Sequence, residues 1–182
     1  MTRDPIAETR LWIGRIVIGL NLCPFARRVF EGGKIRFVLS EATGPGALLA
    51  DLEVELRRLV AEPIEVVETT ILIHPHVLQD FLDYNDFVGD ARRLLDRPEY
   101  EAVVQIADFH PQYRFAGARP NAVENHTNRS PYPMLHLLRE ESVTRVAENL
   151  EFLEGIPARN VAALRKLGRV RLQKLLDATA EE

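Results

Sequence analysis

Apolar positions along the chain switch between helical and extended spacing. Ile6, Ile13, Ile16, Val17 and Leu20 fall on one helical stripe, with Asp4 as N-cap and Pro5 as a favoured first-turn residue. Asn21–Leu22–Cys23–Pro24 breaks that helix, and Pro24 restarts a short one through Phe25, Val29 and Phe30 that Gly32–Gly33 ends. Ile35 to Ser40 predicts a strand. Leu48, Leu49, Leu52, Leu56, Leu59 and Val60 predict the helix after it, behind the breakers Gly44–Pro45–Gly46. Val66 to Ile73 is almost continuously β-branched and stops at His74–Pro75, the pattern of a strand buried on both faces. Leu78, Phe81, Leu82, Val88, Ala91, Leu94 and Leu95 mark another helix. Ala102 to Phe109 then predicts a third strand, stopping at His110–Pro111.

Strand, helix, strand, helix, strand is the order of crossover units. From Tyr113 to Pro133 the chain is polar and turn-rich, a long loop of the kind that carries function. A helix is predicted from Met134 to Gly155, with Leu135, Leu138, Val146, Leu150 and Leu153 packing. Pro157 opens a last one with Val161, Leu164, Leu167, Leu172, Leu175 and Leu176. The expectation is one α/β domain over residues 1–182. It holds a small parallel or mixed sheet of about three strands, with crossover helices, N-terminal helices and two C-terminal helices.

Composition narrows the class. The 182 residues are 46% hydrophobic and 27% charged, which suits an ordinary globular core and excludes disordered and disulfide-built scaffolds. A net charge of −4 gives no basic field that would make nucleic acid the default partner. Arg15 interrupts the most apolar stretch, Leu11 to Leu20, which is too short to span a bilayer. A single Cys forms no internal disulfide, in keeping with a reducing compartment.

Four segments carry a resemblance. They are Asn21–Leu22–Cys23–Pro24–Phe25–Ala26, Thr69–Thr70–Ile71–Leu72–Ile73–His74–Pro75, Phe109–His110–Pro111, and the long Thr127–Asn128–Arg129–Ser130–Pro131–Tyr132–Pro133–Met134–Leu135–His136–Leu137–Leu138–Arg139–Glu140. Together they resemble the bacterial family called domain of unknown function 1415, over nearly the whole chain. The resemblance implies a bacterial, cytoplasmic protein and brings no catalytic residues with it.

The chemistry must therefore come from the residues. Cys23 precedes Pro24 at a helix start, where amide N–H groups, the helix dipole and Arg27 favour thiolate and make it a candidate nucleophile. The competing assignment is a small buried hydrophobe between Leu22 and Phe25. His74 and His110 each close a strand before a proline. In a parallel arrangement both lie at the carboxyl edge, where open α/β sheets place ligands, and His110 leads as acid/base with His74 second. Asp108, two residues before His110, shares its face. His136 falls near a predicted helix start and is a candidate substrate-binding residue, and His74, His110 and His136 also form a weak candidate set for a divalent metal.

Asn128, Arg129 and Ser130 form a candidate anion clamp, because a guanidinium grips carboxylate or phosphate bidentately and a helix start adds amides. No P-loop or dinucleotide fingerprint is present. From Gly155 onward six basic residues (Arg159, Arg165, Lys166, Arg169, Arg171, Lys174) face three acidic ones, with no aromatic among them for base stacking. The leading expectation is a cytoplasmic enzyme of hydrolase or transferase type acting on a small anionic molecule. Its rival is a non-catalytic binding or assembly module that uses the first or the basic last helix.

Overall fold

Asp4 accepts hydrogen bonds from the amides of Ile6 and Ala7 and so fixes the start of α1 (Pro5–Trp12) as the cap pattern requires. The structure, a computed structural model, describes residues 4–146 and 150–180, without the side chains of 146, 150–154, 169, 173 and 177–180. From Ile13 to Ile18 the helix widens into a π-helix. Its mark is hydrogen bonds reaching five residues back, Gly19 N–H to Gly14 O at 3.0 Å and Leu22 N–H to Val17 O at 2.8 Å. Asn21, at φ 52°, turns the chain out of it, and the short α2 (Ala26–Glu31) follows Cys23–Pro24.

Four strands form one mixed sheet: β1 (Ile35–Leu39), β2 (Thr69–Ile73), β3 (Val104–Phe109) and β4 (Met134–Arg139), in the order β1-β2-β4-β3. β1 pairs parallel with β2, while β4 lies antiparallel between β2 and β3. The first three strands therefore run the same way and share a carboxyl edge. β4 corrects the helix expected from Met134. A run of Met and Leu favours a helix in isolation, but Met134, Leu135 and Leu137 are all buried because the strand has neighbours on both sides and layers on both faces.

The pleat sorts the core. On one face Leu72, Val104, Ile106, Leu135 and Leu137 meet α3 (Pro45–Ala61) and α4 (Phe81–Leu94). On the other, Ile71, Ile73 and Met134 meet Trp12, Ile13, Ile16 and Ile18 of the first helix. Leu164 of α6 (Leu150–Leu167) and Leu172 of α7 (Arg169–Ala180) complete that side. The short α5 (Glu140–Val146) leaves β4 directly. Gly155 and Pro157 do not divide the C-terminal helices as expected: both lie within α6, and the break falls at Gly168, whose φ of 78° ends the helix. The side chains of Val146, Leu150 and Leu153 lie outside the described residues. Among those described, no helix is long and apolar enough to cross a membrane.

Candidate functional site

Side chains alternate across a strand, so parity assigns each candidate to a face. His74 and His110 each continue their strand by one residue and fall on the α3/α4 face. His136, opposite Ile71 and Ala107, falls on the face of the N-terminal helices. The expected three-histidine metal set is thereby divided by the sheet. Among the described residues no group of three or more His, Cys, Asp or Glu is placed to hold a metal ion.

His74 and His110 share the carboxyl edge and are fully buried around Tyr84, their ring centroids 5.8 and 5.0 Å from it. Nδ1 of His110 accepts from the Gln112 amide at 3.0 Å, and Nε2 donates to the Leu78 carbonyl at 3.2 Å. With both nitrogens held by backbone, the ring has no lone pair to offer, and the geometry withdraws His110 from the acid/base role. Burial lowers the pKa of His110, and that of His74 to about 4. His74 Nδ1 donates to the Val77 carbonyl at 3.2 Å, and Nε2 is buried without a hydrogen-bond partner. Asp108 pairs with Arg92 at 2.8 Å and not with His110.

The long loop is stitched by its own polar groups. Asn125, fully buried, accepts from the Phe115 amide at 3.1 Å and donates to the carbonyls of Arg119 and Pro120. Arg129 donates to the carbonyls of Tyr113 (3.2 Å) and Pro120 (2.7 Å) and makes no ion pair with a carboxylate among the described residues. It lines a cleft of about 370 Å³ with Phe81, Gln112 and Arg114. Asn128 faces elsewhere, donating to the Asp108 carbonyl at 3.1 Å and lining a cleft of about 740 Å³ with Thr127, Glu124 and Asn160. Ser130 donates to the Tyr132 carbonyl at 2.6 Å. The three clamp residues thus do not converge on one anion.

Convergence occurs on the other sheet face. A cavity of about 320 Å³ opens between the sheet and the N-terminal helices, lined largely by apolar groups that include Ile13, Val17, Phe25, Val29 and Ile71. Cys23 and His136 both line it, and Cys23, Val17 and Phe109 also line the larger cleft beside Asn128. Burial raises the pKa of the Cys23 thiol, outweighing the opposing hydrogen bonds from the backbone of Phe25 and Ala26. The amides expected at the helix start are present, but desolvation outweighs them and disfavours the thiolate.

His136 is oriented by a short relay. The Thr69 hydroxyl donates to the Leu137 carbonyl at 2.6 Å, which commits its only proton. The 2.6 Å contact between Thr69 Oγ1 and His136 Nε2 is therefore an N–H donated by histidine. That tautomer leaves Nδ1 with a lone pair and no hydrogen-bond partner among the described residues. Burial holds the ring neutral, with a pKa of about 4. Two more lining residues were not legible in sequence, Trp12 and Ser142, whose indole N–H and hydroxyl are buried without partners. Trp12 was hidden within the apolar stretch Leu11 to Leu20, and Ser142 carried no motif.

The family whose description is protein of unknown function (DUF1415) matches residues 4–174, and the chain belongs to it. No curated protein and no solved structure matches the chain.

Proposed function

We propose that the protein is an enzyme of hydrolase or transferase type that takes a small molecule into the cavity beneath the N-terminal helices, with His136 meeting its polar group. One observation carries this: His136 lines an apolar cavity, its ring is fixed by Thr69, and its Nδ1 lone pair is left uncommitted. A neutral imidazole held in one tautomer accepts a hydrogen bond from a substrate hydroxyl, an amide or a water, and steers it. Its low basicity means that it takes a proton only as the substrate's bond breaks. This replaces His110, and it moves the site away from Arg129, which lines a separate cleft.

A second reading gives Cys23 the role of nucleophile. It is favoured by the position of Cys23, which lines both the cavity and the larger cleft. The thiol would attack an ester carbonyl, forming a C–S bond and breaking the C–O bond, with the thiol proton passing to the departing oxygen.

Both are tested with methyl esters of graded acyl length, from methyl butanoate to methyl heptanoate, with turnover read as acid released at constant pH. The expected result is turnover that peaks at an intermediate chain and falls about 100-fold in His136→Gln, the scale of general acid–base catalysis. A stable acyl adduct on Cys23, found by mass spectrometry and lost in Cys23→Ser, selects the second reading. No turnover of any ester, and no ester-dependent rise in Tm, overturns both.

A further inference from the structure

The polar atoms around the cavity restrict what fits there. The Trp12 indole N–H is a donor without a partner on a side chain only 3% exposed, and the Ser142 hydroxyl is likewise buried and unpartnered. His136 Nδ1 is an acceptor. A buried donor or acceptor left unmade is costly, so an occupant that supplies the complement of these atoms is selected over one that does not. The two charged groups among the described lining residues, Arg28 and Glu68, pair with each other, and Glu68 is 3% exposed. Among those residues no cation is left over to meet an incoming anion, and an unpaired charge inside such a cavity is strongly disfavoured.

Size sets the rest. At roughly 30 Å³ per water-sized unit, a cavity of about 320 Å³ holds about ten. That is room for a chain of about eight to ten non-hydrogen atoms. One wall is the π-helix, which brings Ile13 and Val17 to the cavity, and π-helical turns recur at ligand sites.

We infer that the cavity takes a neutral molecule with an apolar body and a head group that both donates and accepts a hydrogen bond, a primary amide or an alcohol of medium chain length. This rests on the cavity being the binding site. The head group's N–H or O–H goes to His136 Nδ1, and its oxygen accepts from Trp12 or Ser142 once a small side-chain rotation turns that donor, closed to solvent here, toward the cavity. The small anionic molecule expected from the sequence is thereby replaced, for this cavity, by an uncharged one.

Trp12 is the sole tryptophan of the chain, so its fluorescence reports occupancy directly. Full-length protein is titrated with octanamide, sodium octanoate and octyl methyl ether, with calorimetry alongside. The expected result is that octanamide shifts the Trp12 emission and binds at least tenfold more tightly than either of the others. Trp12→Phe and, independently, Ser142→Ala each weaken octanamide several-fold by calorimetry while leaving the ether unchanged. Octanoate or the ether binding as well as octanamide overturns the head-group inference and leaves the cavity as a binding site. Binding of none of the three overturns the cavity itself, and the inference with it.

Discussion

His74 and His136 lie on opposite faces of the sheet, yet burial holds both at a pKa of about 4, against 6.5 for the free side chain. Below pH 6.5 the unfolded chain takes up protons that the folded chain refuses, so the stability each contributes is complete above that pH. It is lost as the pH falls towards 4. The full window is worth on the order of 3 kcal/mol per group. Urea unfolding at pH 7.5 and pH 4.5 should show this acid loss, and His136→Gln should make it smaller by on the order of 2 kcal/mol. An unchanged acid limb in the variant would mean that His136 is not held neutral. Cys23 gives the complementary test at high pH. With its thiol raised above the ordinary 9.0, native protein should react with iodoacetamide far more slowly than unfolded protein at pH 8, with a midpoint above 9. A midpoint below about 8.5 restores the thiolate. At this scale the sequence marked Cys23, His74, His110 and His136 as chemistry-bearing. It had no means of weighing desolvation against backbone amides, because that balance depends on which helix lies over the sulfur.

Among the elements, the first helix shows most directly what sequence spacing conceals. Its apolar stripe predicts an ordinary α-helix, and the π-helical turn at Ile13–Ile18 leaves no separate signature except glycine at position 19. A Cβ placed on Gly19 would lie 2.2 Å from the Arg15 carbonyl oxygen, a backbone atom that cannot swing aside. Gly19→Ala is therefore expected to destabilise the protein by about 2 kcal/mol or more, where an exposed helical glycine replaced by alanine usually gains stability. Chemical denaturation measures this, and a neutral or stabilising result would falsify the strained five-residue turn. The strands ending at His74 and His110 were legible because β-branched runs stopped by proline have few alternatives. β4 was not, since a Met/Leu run of six residues takes its conformation from the strands beside it. That error also misplaced His136, whose face has no meaning until Met134–Arg139 is extended.

Across the whole molecule, the sheet decides which residues meet. Joint placement of His74 and His110 at one edge followed from strand direction alone, whereas their separation from Cys23 depended on parity and on helices far away in sequence. What binds the α3/α4 layer to that edge is Tyr84. Its hydroxyl donates to the Met134 carbonyl at 2.9 Å and accepts from the Phe109 amide at 2.9 Å, bridging the adjacent ends of β4 and β3. The side chain is fully buried, so no water replaces those contacts when the oxygen is removed. Tyr84→Phe keeps the ring that packs against His74 and His110 but leaves one amide and one carbonyl unpaired. The expected loss is about 2–4 kcal/mol, at 1–3 kcal/mol for each orphaned group after partial relaxation. Hydrogen exchange locates the effect: the Phe109 amide should lose protection more than the amides of β1, on the far side of the sheet. The cavity face should be spared, so octanamide binding should persist in the folded fraction. Equal loss of protection in β1 and β3 would mean that Tyr84 supports the molecule as a whole and not this edge.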